Sequence, residues 1–256
     1  MSWNGASRTS SGKEEDISTE GNSITIAGIG DLHVADSATR PCRDLFAEIS
    51  ERADVLALCG DLTNLGKTSE AEMLAEDLRS CTIPTVAVLG NHDFECGQTE
   101  EVVRILQDAG VRFLEDQVHE IAGVGFAGVK GFAGGFDSRM LGSFGEEPIK
   151  SFVAEVMNEC NRLENALHAL DTDRIVIVLH YAPIAATIEG EPKEIFPFLG
   201  SSRLAETIDR FDVKAVLHGH AHHGTYAGRT AKGIPVYNCA RTIEKDSGRP
   251  YALIEV

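Results

Sequence analysis

With 256 residues, 43% hydrophobic and 25% charged, the chain has the length and composition of one large α/β domain with a full core. A formal net charge of −17 argues against a generic binder of nucleic acid or of an anionic membrane, since both are held by clustered Lys and Arg. No apolar run approaches the roughly 18 residues needed to cross a bilayer.

Residues 1–22 are polar and rich in Ser, Thr, Gly and Glu, and they read as a flexible tail without the apolar stretch of a secretory signal. The expectation is a cytoplasmic protein with a single domain over residues 23–256. Cys42, Cys59, Cys81, Cys96, Cys160 and Cys239 show no CxxC spacing, so they are expected to be reduced and mostly buried. A redox role for Cys59 and Cys96, the two closest to candidate site residues, is the less favoured reading.

In chain order, Ile24–Ile29 reads as a buried strand that runs into Gly30-Asp31-Leu32-His33. Pro41–Arg52 has a helical apolar face. The run from Val55 to Leu58 is a second strand, stopping at Gly60-Asp61-Leu62-Thr63-Asn64. Ser69–Arg79 follows as a helix, with Ser69 and Glu72 fitting a capping box. Thr85–Leu89 is a third strand, ending at Gly90-Asn91-His92-Asp93, and a helix over 100–109 is introduced by Thr99 as N-cap and closed by Gly110. Asp31, Asp61 and Asn91 are thirty residues apart, about one strand–helix–strand repeat, and so fall at one edge of one parallel sheet.

The rhythm then changes. Short strands at 111–114, 117–121 and 124–127 suggest a meander. Gly131–Glu147 is a long Gly- and Phe-rich loop, and Pro148 opens a helix to about Leu170 with Ile149, Phe152, Val153, Val156, Met157, Cys160, Leu163 and Leu167 as its core stripe. Arg174–Leu179 is a strand ending at His180. A second long loop covers 184–200, and a short helix covers 204–211. The strand 213–217 ends at His218-Gly219-His220-Ala221-His222-His223, and three strand candidates (225–228, 234–238 and 251–256) close the chain. The mix implies two sheets packed face to face with helices outside both.

A lone His at a strand end is most often structural, and GNHD by itself suits an ordinary turn. Here, however, every ligand-type cluster follows an apolar strand, and ligands of open α/β sheets bind at such strand ends. Carboxylate, imidazole and amide donors without cysteine suit Mn, Fe or Zn better than Mg or Ca. His218, before a glycine at the end of a buried strand, reads as a core residue, and His223 as a rim residue. His119 and His168 receive no role. Arg139 reads as a solvated loop arginine rather than a phosphate contact.

The ordered set GDLH, GDLTN, GNHD, HYAP and GHAH resembles the calcineurin-like metallophosphoesterase superfamily over about residues 24–256. The resemblance implies an α/β fold that is a four-layer α/β/β/α sandwich, two mixed sheets flanked by helices, with a dinuclear transition-metal centre. Carried over motif by motif, one metal takes Asp31, His33, the bridging Asp61 and His222, and the other takes Asp61, Asn91, His180 and His220. His92 stays off the metals and faces the substrate, with Asp93 placed to orient it. Tyr181-Ala182-Pro183 departs from the double proline of many relatives, which touches only the contacts beside His180.

The implied activity is hydrolysis of a small phosphoester, with a slight preference for a phosphodiester and a nucleotide among the candidates. A carboxylate bridge holds two ions about 3.5–4 Å apart, and the hydroxide they share attacks phosphorus in line. The alternatives are a phosphomonoesterase, a nuclease, a hydrolase of a lipid-A precursor, and a non-catalytic interaction module like the retromer subunit on this scaffold. The lipid-A family typically has Arg at the His92 position, and the module lacks ligands that are all present here. No nucleic-acid or membrane partner is expected.

Overall fold

The computed structural model describes Met1, residues 23–36 and residues 40–256. The tail expected over 1–22 therefore lies, Met1 apart, outside the described residues. Among them the order is β1 (Thr25–Ile29), α1 (Arg43–Ser50), β2 (Val55–Cys59), α2 (Thr68–Leu78), β3 (Thr85–Val88), α3 (Thr99–Asp108), β4 (Val111–Phe113), β5 (His119–Ile121) and β6 (Val124–Val129). Then come α4 (Glu147–His168), β7 (Ile175–Leu179), α5 (Phe196–Leu199), α6 (Ser202–Ile208), β8 (Val213–His218), β9 (Ala227–Arg229), β10 (Pro235–Asn238) and β11 (Ala252–Glu255).

The strands form two sheets, one in the order β11-β1-β2-β3-β4 and the other β5-β6-β7-β8-β10-β9. In the first, β1 to β4 run parallel and β11 lies antiparallel on the edge. In the second, β6, β7, β8 and β10 run parallel between antiparallel edges β5 and β9. Both sheets are mixed, as the family resemblance implies. The reason is visible in β2, where successive side chains point to opposite faces. Leu56 and Leu58 pack outward with Phe46, Ile49, Leu74 and Leu106 of the first helical layer. Val55, Ala57 and Cys59 point inward onto Val176, Val178 and Leu217 of the second sheet. The outer face of that sheet, with Ile177, Leu179 and Val216, is covered by Cys160 and Leu163 of α4 and by Leu204 and Ile208 of α6. The result is the α/β/β/α sandwich. All the parallel strands that carry site motifs end at one edge of it.

Four local expectations are corrected. There is no meander: β4 pairs parallel with β3 in the first sheet (Thr85↔Val111), whereas β5 and β6 form a hairpin in the second. The chain crosses between sheets just after Leu114, which packs in the inter-sheet core. The hairpin turns through Ala122 and Gly123, at φ of 51° and 75°, the double left-handed turn that matches strand twist. The capping box uses Glu70, not Glu72, because α2 starts at Thr68, which makes Glu70 its third residue. The Glu70 carboxylate accepts from the backbone N–H of Leu65 (2.8 Å) and Lys67 (3.3 Å). The segment 184–200 is not an open loop but a series of short helical turns that end in α5. Met157 lies outside the α4 core stripe and is 41% exposed.

Candidate metal centre

Each motif turns immediately after its strand, and three of the five turns hold residues in the left-handed region. Asp31, His33, Asp61 and His220 have φ of 58°, 44°, 49° and 71°. For residues with a β-carbon this left-handed conformation costs about 1–3 kcal/mol each and persists where the surroundings over-determine it. Backbone bonds between motifs supply part of that constraint: Asp31 N–H donates to Gly60 O and His33 N–H to Asp61 O, both at 3.0 Å. The glycine before Asn91 answers to close approach. A β-carbon at Gly90 would lie 2.1 Å from Asp61 Oδ1 and 2.2 Å from Asp61 N, so no side chain fits beside the carboxylate.

The turns bring three overlapping sets of donor atoms to within 4.8 Å of one another: Asp31, His33 and His222; His33, Asp61 and His92; and Asp61, His180 and His220. Asp61 is common to two of them. Its Oδ2 lies 3.7 Å from His33 Nε2, and its Oδ1 lies 3.4 Å from His180 Nε2. The two oxygens of one buried carboxylate thus face different clusters. His222 Nε2 is 2.9 Å from Asp31 Oδ1, and the His220 N–H donates to both oxygens of Asp31. Asn91 joins through Oδ1, 3.0 Å from His180 Nε2.

These residues fit a metal pair by their own chemistry. His33 Nε2 and His222 Nε2 converge to 3.5 Å, and the buried His33 Nδ1 has no hydrogen-bond partner. Burial holds His33 below its usual pKa and, together with the neighbouring His180, pushes His220 down to about 3, so both are neutral donors. Burial also pushes up the Asp31 carboxyl, but the His222 hydrogen bond and the charges of His180 and His222 outweigh it and hold Asp31 below the ordinary range. His222 is raised by the same bond. The remaining ring nitrogens are tied back. His180 Nδ1 is 2.9 Å from Cys59 O and His220 Nε2 is 3.3 Å from Phe198 O, which fixes ring orientation and leaves the other nitrogen as acceptor.

Asp93 does not sit against the His92 ring as expected. Its buried carboxylate accepts from the N–H of Gly90 (2.8 Å), Leu62 (3.2 Å) and Thr63 (2.8 Å) and from Thr63 Oγ1 (2.6 Å), stitching the second motif to the third. Asn64 orients His92 instead: its carbonyl oxygen is 2.7 Å from His92 Nδ1, and the His92 N–H donates to Asp61 Oδ1. The His92 side chain is 40% exposed, against 0% for His180. Three supports escape sequence reasoning, the carbonyls of Asn64, Cys59 and Phe198, because a backbone acceptor carries no residue signature.

The other histidines fall where the sequence put them. His218 is buried, with Nε2 2.8 Å from Thr187 Oγ1 and its pKa pushed down to about 4 by burial. His168 packs edge-on against Phe211. Arg139 is exposed beside an apolar groove that includes Leu141, Phe152 and Phe198. Four cysteines are buried, Cys81 is half-buried and Cys96 exposed, and all six are free thiols.

Adjoining carboxylate–imidazole clusters at the strand ends of a doubly flanked sandwich define a metal-dependent hydrolase. Residues 24–224 match the family model of the calcineurin-like phosphoesterases, and the chain belongs to that family. It is therefore a metal-dependent phosphoric ester hydrolase. A relative from Synechococcus sp., named a probable cyclic nucleotide phosphodiesterase, is 24% identical over 227 residues, covering 84% of this chain and 80% of its own length. A crystal structure with 15% identity superposes with a TM-score of 0.59 over 91% of this chain and 95% of that one. A hypothetical protein from Thermus thermophilus gives 0.49 with 19% identity, over 86% and 77% of the two chains.

Proposed function

We propose that this protein hydrolyses a small phosphoester at a dinuclear centre, with a phosphodiester preferred over a monoester. In this reading residues 23–256 act as a single phosphoesterase domain. Asp31, His33 and His222 would hold one ion and Asn91, His180 and His220 the other, with Asp61 shared by both sets. The observation that carries the proposal is the two-sided position of Asp61, one oxygen toward His33 and the other toward His180.

A metal pair of Mn, Fe or Zn would supply a nucleophilic water of lowered pKa and polarise the phosphoryl oxygens. The chain supplies the rest. His180 and His220 present ring nitrogens already oriented by the backbone carbonyls of Cys59 and Phe198, so little reorganisation accompanies binding. His92, whose donor atom also falls in one cluster with His33 and Asp61, is assigned to the substrate by the family resemblance, and its solvent-reaching ring agrees with that role. Protonated at Nε2, it donates to the leaving alkoxide, and that favours a diester, whose alkoxide leaves poorly. Asp93 acts by position, holding the Asp61 turn against the His92 turn. The Synechococcus relative's name supports the same class of substrate.

The test is a panel of aryl phosphomonoesters and phosphodiesters, assayed after chelation and reloading with Mn, Fe, Zn, Ni or Mg. The expected result is diester turnover that chelation abolishes and Mn, Fe or Zn restores. Turnover of monoesters alone would replace the diester reading by the phosphomonoesterase alternative.

A further inference from the structure

Lys130 follows β6 at the same sheet edge as the candidate metal centre, and its surroundings are unusual for a lysine. The ammonium lies 5.7 Å from the ring centroid of Phe94, 4.9 Å from Phe132 and 5.3 Å from Tyr181. It donates one hydrogen bond, to Gly131 O at 2.9 Å. Among the described residues no carboxylate lies within ion-pair distance of it. Glu159, the acid that acts most strongly on its charge, is engaged elsewhere: Oε2 accepts from Gly131 N–H at 2.6 Å and Oε1 from Arg162 at 2.7 Å. A half-buried cation in a chain of net charge −17 thus has two N–H donors that bond no described residue, and it feels Glu159, Glu155 and Glu115 only at longer range than an ion pair.

Its location gives those donors a use. Phe94 closes the turn that begins at His92, and it is 45% exposed. Tyr181 follows His180, and its ring packs 4.4 Å from the His220 ring. The backbone N–H groups of His180 and Tyr181 both donate to Lys130 O, which fixes the lysine to the same turn. The ammonium therefore sits one aromatic ring away from the candidate ligands, between the turn of His92 and the turn of His180. A ring-lined site of this kind is electronegative on its faces, which stabilises the cation without neutralising it toward an incoming anion. Burial holds the Lys130 pKa below its usual value, consistent with an ammonium kept partly out of water.

We propose that Lys130 is a specificity-determining residue that binds a second anionic group of the substrate, a carboxylate or phosphate carried on an ester substituent of the reacting phosphoryl group. The proposal rests on the phosphodiesterase reading above. With Tyr181 buried at 7% exposure, a substituent reaches Lys130 along Phe94, which is 45% exposed and lies between the His92 turn and the ammonium. Substrates with a neutral substituent are turned over without this contact, and a cationic one is disfavoured.

The experiment compares bis(p-nitrophenyl) phosphate with 4-carboxyphenyl p-nitrophenyl phosphate, a near-isostere that adds one negative charge, and with p-nitrophenyl phosphocholine. Wild-type protein reloaded with Mn is expected to show a lower KM for the carboxylate ester than for the neutral one. Lys130→Gln should raise the KM for the carboxylate ester roughly ten-fold or more, the scale of one charged hydrogen bond, with the neutral ester changed less than about two-fold. Lys130→Arg should retain the preference, and metal content should be the same in all three proteins. Equal KM values for the two esters in the wild type, or an equal shift of both in Lys130→Gln, would overturn the inference while leaving the phosphodiesterase reading intact. No turnover of any of the three esters would overturn both.

Discussion

Asp61 and His92 are neighbours in space, with 2.9 Å between the His92 N–H and Asp61 Oδ1, yet the site gives them different work. Removing the Asp61 carboxylate takes a donor from two clusters at once, so Asp61→Ala is expected to lose both ions. His92→Ala removes a ring held by Asn64 O and should keep its metal while turnover falls by about 10²–10⁴-fold. Metal analysis of the two purified variants separates these outcomes; an empty His92→Ala protein would make His92 a ligand. Gly90 offers a test that alters no donor. A β-carbon there would lie 2.1 Å from Asp61 Oδ1, so Gly90→Ala should displace the carboxylate and reduce metal content as Asp61→Ala does. Full metal content in Gly90→Ala would show that the Asp61 turn can shift without harm to the centre.

At the scale of elements, the end of β3 is held from the side. Glu115, just past β4, is half-buried and accepts from Leu89 N–H at 2.6 Å, while its other oxygen is buried and has no partner. Burial pushes its pKa from 4.5 to about 7, with Arg162 opposing and Glu159 reinforcing the shift. Between about pH 4.5 and 7 the folded chain holds a proton that the unfolded chain has released. Stability therefore falls as pH rises through that window, by about 3 kcal/mol in all, and the loss is complete above it. Glu115→Gln keeps the acceptor without the charge. Denaturant unfolding should show the variant gaining on wild type at pH 8 and little changed at pH 5, and an equal difference at both pH values would exclude Glu115 as the cause.

How much of this was legible in the sequence follows from the range of each signal. The parallel strands and the helices between them are local patterns: apolar runs of four or five residues, 3.6-residue stripes and strand-end turns. Hence the strand-end groups Asp31, His33, Asp61, Asn91, His92, His180, His220 and His222 could be named before any coordinates, whereas their division into metal ligands and a substrate-facing His92 came from the family resemblance. The assignment of β4 to one sheet and β5 to the other could not, because short half-buried strands at 111–121 carry no mark of which sheet they join. Asp93 was named for the wrong contact, since its partners Leu62 and Thr63 lie some thirty residues away and present only backbone and a hydroxyl. Phe144 of the Gly- and Phe-rich loop is 89% exposed, while Phe136 of the same loop is buried. Composition alone does not distinguish them.

For the whole molecule the deciding quantity is charge. A net −17, with Lys and Arg scattered singly along the chain, offers no evident track for a polyanion, and a protein that grips a duplex neutralises several phosphates at once. Among the described residues no helix is long and apolar enough to cross a membrane. The expected outcome is weak binding of single- and double-stranded DNA at every salt concentration and little cleavage with Mn. Tight, salt-sensitive binding with efficient cutting would promote the nuclease alternative and displace the small substrate.

The central claim is a bridged pair of ions at Asp61, and manganese reports on it directly. The metal-free protein, titrated with Mn and followed by electron paramagnetic resonance alongside metal analysis, is expected to bind two ions per chain. Their signal should be that of an exchange-coupled pair, which collapses to isolated or absent Mn in Asp61→Ala. One ion per chain, or two that give only the six-line spectrum of isolated Mn, would contradict the account.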